Sequence, residues 1–304
     1  MLGYFGPAGT FTHQALLTIS DAEAVPYATV GQAVAAVRSG EIEAALVPIE
    51  NSVEGGVSAT LDILASGRRL VITKEVLLPV QFNLYARPGT TADQVRRVLT
   101  HPHSAAQTRG WMASNLPEAV VTEGGSNAAS AQEVADPESR YDAAICGQIA
   151  GEMYGLVPVA TEIADNASAV TRFVLVSRPT EPTQPTGADK TTLVAYMHTD
   201  RAGALLEILD QFSNRGVSLS RIESRPTKTG LGNYCFSIDA EGHMREPRLA
   251  EAMLGLHRIC AEVVFLGSYP RADGKRTQVA SGFTDADFAA AREGYATLVH
   301  PEDD

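Results

Sequence analysis

Three short runs of this chain combine residue types that can bind and polarise a small anionic molecule. In Gly6-Pro7-Ala8-Gly9-Thr10-Phe11-Thr12, two glycines and two hydroxyls stand where a short apolar run gives way to a helical pattern. Such a turn can offer backbone N–H groups and hydroxyls to a carboxylate or phosphate, and it is equally a common structural turn. In Pro48-Ile49-Glu50-Asn51-Ser52-Val53-Glu54-Gly55-Gly56, polar side chains follow an apolar run at once. Pro48 weakens a sheet ladder there, and Gly55 and Gly56 permit close backbone approach. In Thr171-Arg172-Phe173, a guanidinium enters an otherwise apolar strand. That is costly unless Arg172 meets an acid, for which Glu50 and Glu54 are candidates, or a ligand carboxylate held bidentately.

Alternating strands and helices must carry these runs. Strand patterns cover residues 2–5, 44–49, 95–100, 120–122, 143–146, 157–163 and 172–176, with a long extended stretch at 70–86. Helical periodicity covers 11–19, 29–38, 58–65, 104–114, 127–134 and 148–154. The alternation predicts α/β architecture with mainly parallel sheets. Residues 179–190, with three prolines and no apolar period, read as a linker. Beyond it, strands at 191–197, 217–225, 234–240 and 262–269 enclose helices at 204–212 and 247–256. Gly216 closes the first of these helices and Pro247 opens the second. The order β-α-β-β-α-β is the ferredoxin-like split. The tail from residue 271 is polar apart from one amphipathic helix at 285–298.

The 304 residues suffice for two domains with a core each, and 44% of them are hydrophobic, without a run of membrane-spanning length. The N-terminus lacks the basic and apolar regions of a signal peptide. Three cysteines in no metal-binding spacing read as reduced, buried thiols, which points to the cytoplasm. A net charge of −12 without a basic run argues against nucleic acid and anionic membranes as partners. It leaves room for a small anion held by a local arginine.

The three runs, in this order, resemble the prephenate dehydratase family. Its Gly-Pro-x-Gly-Thr-Phe-(Ser/Thr), Pro-Ile-Glu-Asn-Ser and Thr-Arg-Phe motifs stand at Gly6 to Thr12, Pro48 to Ser52 and Thr171 to Phe173. His101-Pro102, Gln107 and Tyr154-Gly155-Leu156 fit as well. The second region resembles a regulatory ACT domain, through Gly203-Ala204-Leu205 and Ile222-Glu223-Ser224-Arg225-Pro226, with Tyr234, Phe236, Asp239, Gly242 and His243 after them. Two positions depart from the pattern. Ala169 stands where the family usually has Asn, with Asn166 farther back, and Ser218 stands where an Asn often precedes the next strand.

The resemblance implies decarboxylating dehydration of prephenate to phenylpyruvate, in phenylalanine biosynthesis, with no metal or organic cofactor. It implies a bilobal catalytic domain like type II periplasmic binding proteins over residues 1–178, with lobe one at 1–77 and 158–178 and lobe two at 78–157. The linker 179–190, an ACT domain at 191–270 and a tail at 271–304 follow. The crossovers would be residues 70–86 and 157–172, which puts Thr171 at the cleft. Thr171 would donate a hydrogen bond to the leaving hydroxyl and Arg172 would take a substrate carboxylate. Thr10, Asn51, Ser52, Gly55 and Gly56 would fix the remaining polar groups. Phe173 would lie beside the ring or simply in the core. Glu50 would serve as an acid or, the favoured role, as partner of Arg172. His101, His103 and Trp111 read as structural.

Feedback inhibition by L-phenylalanine would act where two ACT domains meet, at Gly203, Ala204, Leu205, Ser218 and Leu219. Glu223 and Arg225 would be effector-site residues or a plain ion pair. ACT pairing would make a homodimer the minimum assembly, and family precedent favours a tetramer. The alternatives are an arogenate dehydratase and a bilobal ligand-binding regulator without catalysis.

Overall fold

The structure is a computed structural model in which residues 1–199, 201–227 and 234–299 are described. The chain forms two compact units, Met1–Thr60 with Val76–Val174, and Leu61–Glu75 with Leu175–Asp304.

The first unit opens with β1 (Leu2–Phe5), α1 (Phe11–Leu17), β2 (Ala24–Tyr27), α2 (Val30–Ser39) and β3 (Ala44–Asn51). β1 pairs in parallel with both β2 and β3. β2 escapes the sequence reading because four residues containing Pro26 give no period, and Pro is tolerated there because β2 is an edge strand. In α2, Thr29 caps the first turn by accepting from the Gln32 N–H at 3.1 Å, and Gly40 ends the helix at φ 87°. Val30, Ala33, Val34 and Val37 form its buried face, each valine contributing about 1.5–3 kcal/mol.

β4 (Gly55–Gly56), α3 (Ser58–Leu64), β5 (Val71–Pro79) and β6 (Asn83–Ala86) come next. They are followed by β7 (Arg97–Thr100), α4 (Pro102–Gln107), α5 (Arg109–Asn115), β8 (Val120–Glu123) and α6 (Asn127–Ala135). β9 (Ala143–Cys146), α7 (Gln148–Met153), β10 (Val157–Ala160) and β11 (Val170–Ser177) complete the set. One sheet has the order β2-β1-β3-β11-β5 with β4 on β3, and a second has the order β10-β6-β9-β7-β8. The chain leaves the first sheet after β5 and returns to it at β11. The second sheet is mixed: β7 is parallel to β8 and β9, and β6 antiparallel to β9 and β10. All four residues of β9 are buried. Ala143 and Ile145 face one apolar cluster with Phe82 and Val98; Ala144 and Cys146 face another with Tyr85 and Ala128.

The single helix expected at 104–114 is two helices that meet at Thr108. The Thr108 hydroxyl donates back to the Ser104 carbonyl at 2.7 Å. The first turn of α5 donates from Gly110 and Trp111 to the Asp165 carboxylate, at 2.8 and 2.9 Å. A cap supplied by so distant a residue leaves no local signal.

The second unit contains β12 (Asp189–Tyr196), α8 (Ala204–Ser213), β13 (Leu219–Pro226), β14 (Tyr234–Glu241), α9 (Pro247–Ile259), β15 (Glu262–Pro270) and α10 (Asp285–Val299). Its antiparallel sheet runs β13-β14-β12-β15, the expected βαββαβ topology. Leu193 and Ile238 from the sheet pack with Ile208 and Phe212 of α8 and Leu249 and Leu256 of α9. On the side chains that alternate with these, Thr192 is hydrogen-bonded to Asp239 and to the Tyr269 hydroxyl, both at 2.6 Å. Lys190 is buried against Glu75 at 2.7 Å. The three cysteines are free and buried. Among the described residues, no helix is long and apolar enough to cross a membrane.

Candidate functional site

The end of β3 and the start of β11 are tied together residue by residue. Ser52 closes two bonds with Val170: its N–H donates to the Val170 carbonyl, and its hydroxyl accepts from the Val170 N–H, each at 2.9 Å. This brings the neighbouring side chains into contact. The Asn51 amide donates to the Thr171 hydroxyl oxygen at 2.9 Å. The Asn51 carbonyl oxygen accepts from the N–H groups of Val53 and Glu54, at 2.8 and 3.3 Å, which forms the turn into β4. Gly55, at φ 84°, makes that reversal possible, and Gly55 and Gly56 then pair antiparallel with Asn51 and Glu50. The Val57 N–H returns to the Ile49 carbonyl at 2.8 Å.

Arg172 is 5% exposed and meets Glu50 at 3.2 Å, whereas Glu54 turns elsewhere. Of the two acids the sequence offered, Glu50 is the partner. Phe173 is 1% exposed and belongs to the core of the strand. Thus Glu50, Asn51, Ser52, Gly55, Gly56, Thr171 and Arg172 form one connected group.

Thr10 is engaged locally. Its hydroxyl donates to the Pro7 carbonyl at 2.9 Å and accepts from the His13 N–H at 3.4 Å, capping α1. No described hydrogen bond joins it to the Asn51–Thr171 group. Gly6 of this turn has a packing role, since a Cβ there would stand 2.7 Å from Pro26. A Cβ on Gly9 would stand 3.4 Å from Ala128 and Ala150, and one on Gly147 would stand 2.9 Å from the Phe11 ring. α1 therefore enters close against α6 and α7. His13 accepts from the Gly9 N–H at 3.1 Å through Nδ1 and stacks on Tyr4, with ring centroids 4.8 Å apart. Burial lowers the His13 pKa; burial, and then Tyr154, raise that of Tyr4.

Sequence reasoning passed over the partners of α4. His101 caps that helix, with Pro102 at its first position. Asn127 accepts from the Ser104 hydroxyl at 2.9 Å and from the His101 N–H at 3.3 Å. Burial lowers the His101 pKa, as does His103, against Glu54 and Glu123, which raise it. Glu54 meets His103 at 2.7 Å and accepts from the Gln107 amide at 3.4 Å. Gln107 was visible as a motif residue and Glu54 as a candidate partner of Arg172; that Glu54 meets Gln107 and His103 was not. Trp111 belongs to the first turn of α5 and packs against the second sheet's core.

In the second unit, Gly203 at φ 85° opens α8, followed by buried Ala204 and part-exposed Leu205. The Ser218 carbonyl accepts from the Glu241 N–H at 2.8 Å, and Leu219 begins β13. Arg225 pairs with Asp62 at 3.0 Å and with Glu223 at 3.6 Å. Asp62, then burial acting oppositely, are the largest influences on Arg225, whose pKa is raised. Among the described residues, no group of three or more His, Cys, Asp or Glu is arranged to hold a metal ion.

Comparison with known proteins identifies the family of the chain. Residues 2–181 match the family model "Prephenate dehydratase" and residues 191–258 the model "ACT domain". A prephenate dehydratase of Amycolatopsis methanolica is 45% identical over 304 residues, covering 99% of this chain and 98% of that protein. The solved prephenate dehydratase of Arthrobacter aurescens, in complex with L-Phe, superposes with TM-score 0.93 at 49% identity, covering 98% of this chain and 99% of that one. A solved protein described as a novel type of quorum quenching acylase, GqqA, superposes with TM-score 0.80 at 29% identity, covering 88% of this chain and 97% of that one. On these matches over nearly its whole length, the chain belongs to the prephenate dehydratase family and carries an ACT domain.

Proposed function

We infer that the protein is a lyase that converts prephenate to phenylpyruvate, carbon dioxide and water, under feedback control by L-phenylalanine. The observation that carries the catalytic reading is the hydrogen bond from the Asn51 amide to the Thr171 oxygen. It occupies a lone pair of that oxygen and leaves the Thr171 O–H to donate. The acceptor is the ring hydroxyl of prephenate. As the carboxylate carbon leaves as carbon dioxide, its bonding electrons complete the aromatic ring and the hydroxyl departs with its own electron pair. A hydrogen bond that strengthens as charge grows on that oxygen accelerates the step. A threonine is too weak an acid to surrender its proton outright, so a solvent proton completes the water.

Arg172 takes one substrate carboxylate while Glu50 holds the guanidinium in place from the other side. Asn51, Ser52 and the Gly55–Gly56 backbone fix the remaining polar groups, while Thr10 holds the start of α1. An acylase reading would need an activated nucleophile, and no described base is hydrogen-bonded to Thr171.

L-phenylalanine binds where two ACT domains meet, at Gly203, Ala204, Leu205, Ser218 and Leu219. It inhibits by favouring an arrangement with lower activity. Glu223 and Arg225 act as an ion-pair link with Asp62. The assembly is a homodimer through ACT domains, paired into a tetramer. Free, buried cysteines support a cytoplasmic location.

The test incubates purified protein with prephenate or arogenate and identifies the product, with and without L-phenylalanine. Phenylpyruvate from prephenate, suppressed by L-phenylalanine, is expected. Phenylalanine formed from arogenate alone would replace the substrate, and no turnover of either would refute the enzyme reading.

A further inference from the structure

The contact between Glu54 and α4 joins the turn that carries Asn51 to a helix of the second sheet. Glu54 lies in that turn, where its N–H donates to the Asn51 side chain at 3.3 Å. Its carboxylate meets two residues one helical turn apart on α4, His103 Nδ1 at 2.7 Å and Gln107 Nε2 at 3.4 Å. α4 is fixed in turn: Asn127 holds its first turn through Ser104, and the Gln107 carbonyl accepts from the Asp165 N–H at 2.7 Å.

Two physical consequences follow. A carboxylate ion only accepts hydrogen bonds, so Glu54 selects the orientation of the Gln107 amide with Nε2 towards it. The Gln107 Oε1 atom is then buried, without a hydrogen-bond partner among the described residues. Secondly, His103 and Glu54 side chains are 61% and 35% exposed. A pair in that setting contributes little to stability, while its geometry is definite.

We propose that Glu54 is a positioning residue for the dehydration: it clasps α4 through His103 and Gln107, orients the Gln107 amide, and holds the Asn51 turn so that Asn51 stays on Thr171. The proposal rests on the dehydratase reading. It assigns Glu54 no contact with the reacting atoms.

The test measures prephenate turnover and thermal melting for the parent, Glu54→Ala, Glu54→Gln, His103→Ala and the double variant Glu54→Ala/His103→Ala. Loss of the His103 and Gln107 contacts together predicts a fall in kcat of about 5- to 20-fold for Glu54→Ala, with KM changing less. Glu54→Gln, which keeps an acceptor for the Gln107 amide, recovers part of the loss. The double variant is no worse than Glu54→Ala alone, because both remove the same clasp. Melting stays within about 2 °C of the parent. Parent-like kcat in Glu54→Ala overturns the proposal. So does an additive double variant, or a loss that tracks a fall in melting temperature. A parent that turns over no prephenate refutes the dehydratase reading itself, and is thereby distinguished from failure of the clasp alone.

Discussion

At the scale of single residues, the direction of one hydrogen bond matters most. Asn51 donates to Thr171, which on the proposed mechanism leaves the threonine proton for the substrate. Thr171→Ala should lower kcat by about 10²- to 10³-fold, the scale of one lost transition-state donor, with an unchanged circular dichroism spectrum. Asn51→Asp is the sharper test. A carboxylate at that position would accept the Thr171 proton and point it away from the substrate. Its loss in phenylpyruvate formation should approach that of Thr171→Ala, although the side chains are nearly isosteric. Parent-like turnover in either variant would remove Thr171 from the reaction. His13 carries a pH prediction. Burial lowers its folded pKa, and Nδ1 must stay unprotonated to accept from Gly9. The unfolded chain, with a histidine pKa of about 6.5, binds the proton more readily. Its contribution to stability is therefore complete above that value and is lost as pH falls through the lower folded pKa. The gap in urea midpoint between the parent and His13→Gln should narrow as the pH drops from about 7 to about 5, the parent losing more.

At the scale of elements, the break between α4 and α5 shows how tertiary contacts override a periodic pattern. The apolar spacing over residues 104–114 continues through Thr108, yet the N–H groups of Gly110 and Trp111 leave the helix ladder for Asp165. Asp165→Ala should destabilise the protein by about 1 kcal/mol, the value of a helix cap reinforced by its charge, read as a lower urea midpoint with an unchanged slope. A variant as stable as the parent would mean that water satisfies those donors equally well. α1 and α2 behaved differently, since their caps, Thr10 and Thr29, lie next to the turns they satisfy.

At the scale of the whole molecule, the ACT domain provides the regulatory prediction. A ligand that binds only the folded state at 100 times its dissociation constant stabilises it by about 2.7 kcal/mol. L-phenylalanine should therefore raise the melting temperature of the parent. Gly203→Ala should shrink that shift, because alanine is strained at φ 85° even though nothing lies within 4 Å of the added methyl. A full shift in that variant would place the effector elsewhere. The α/β and βαββαβ patterns, the proline-rich break and the three chemical runs were all legible in sequence, because apolar period, caps and turn residues are local properties. Pairing was legible only in part: Glu50 as the partner of Arg172 was the favoured expectation. That Glu54 reaches His103 and Gln107, and that Arg225 reaches Asp62, depended on strand register and helix placement. The residue types in the site follow from the chain alone. Which of them touch was decided by the tertiary structure, because an ion pair forms within a few ångströms and adjacent residues on a turn point in different directions.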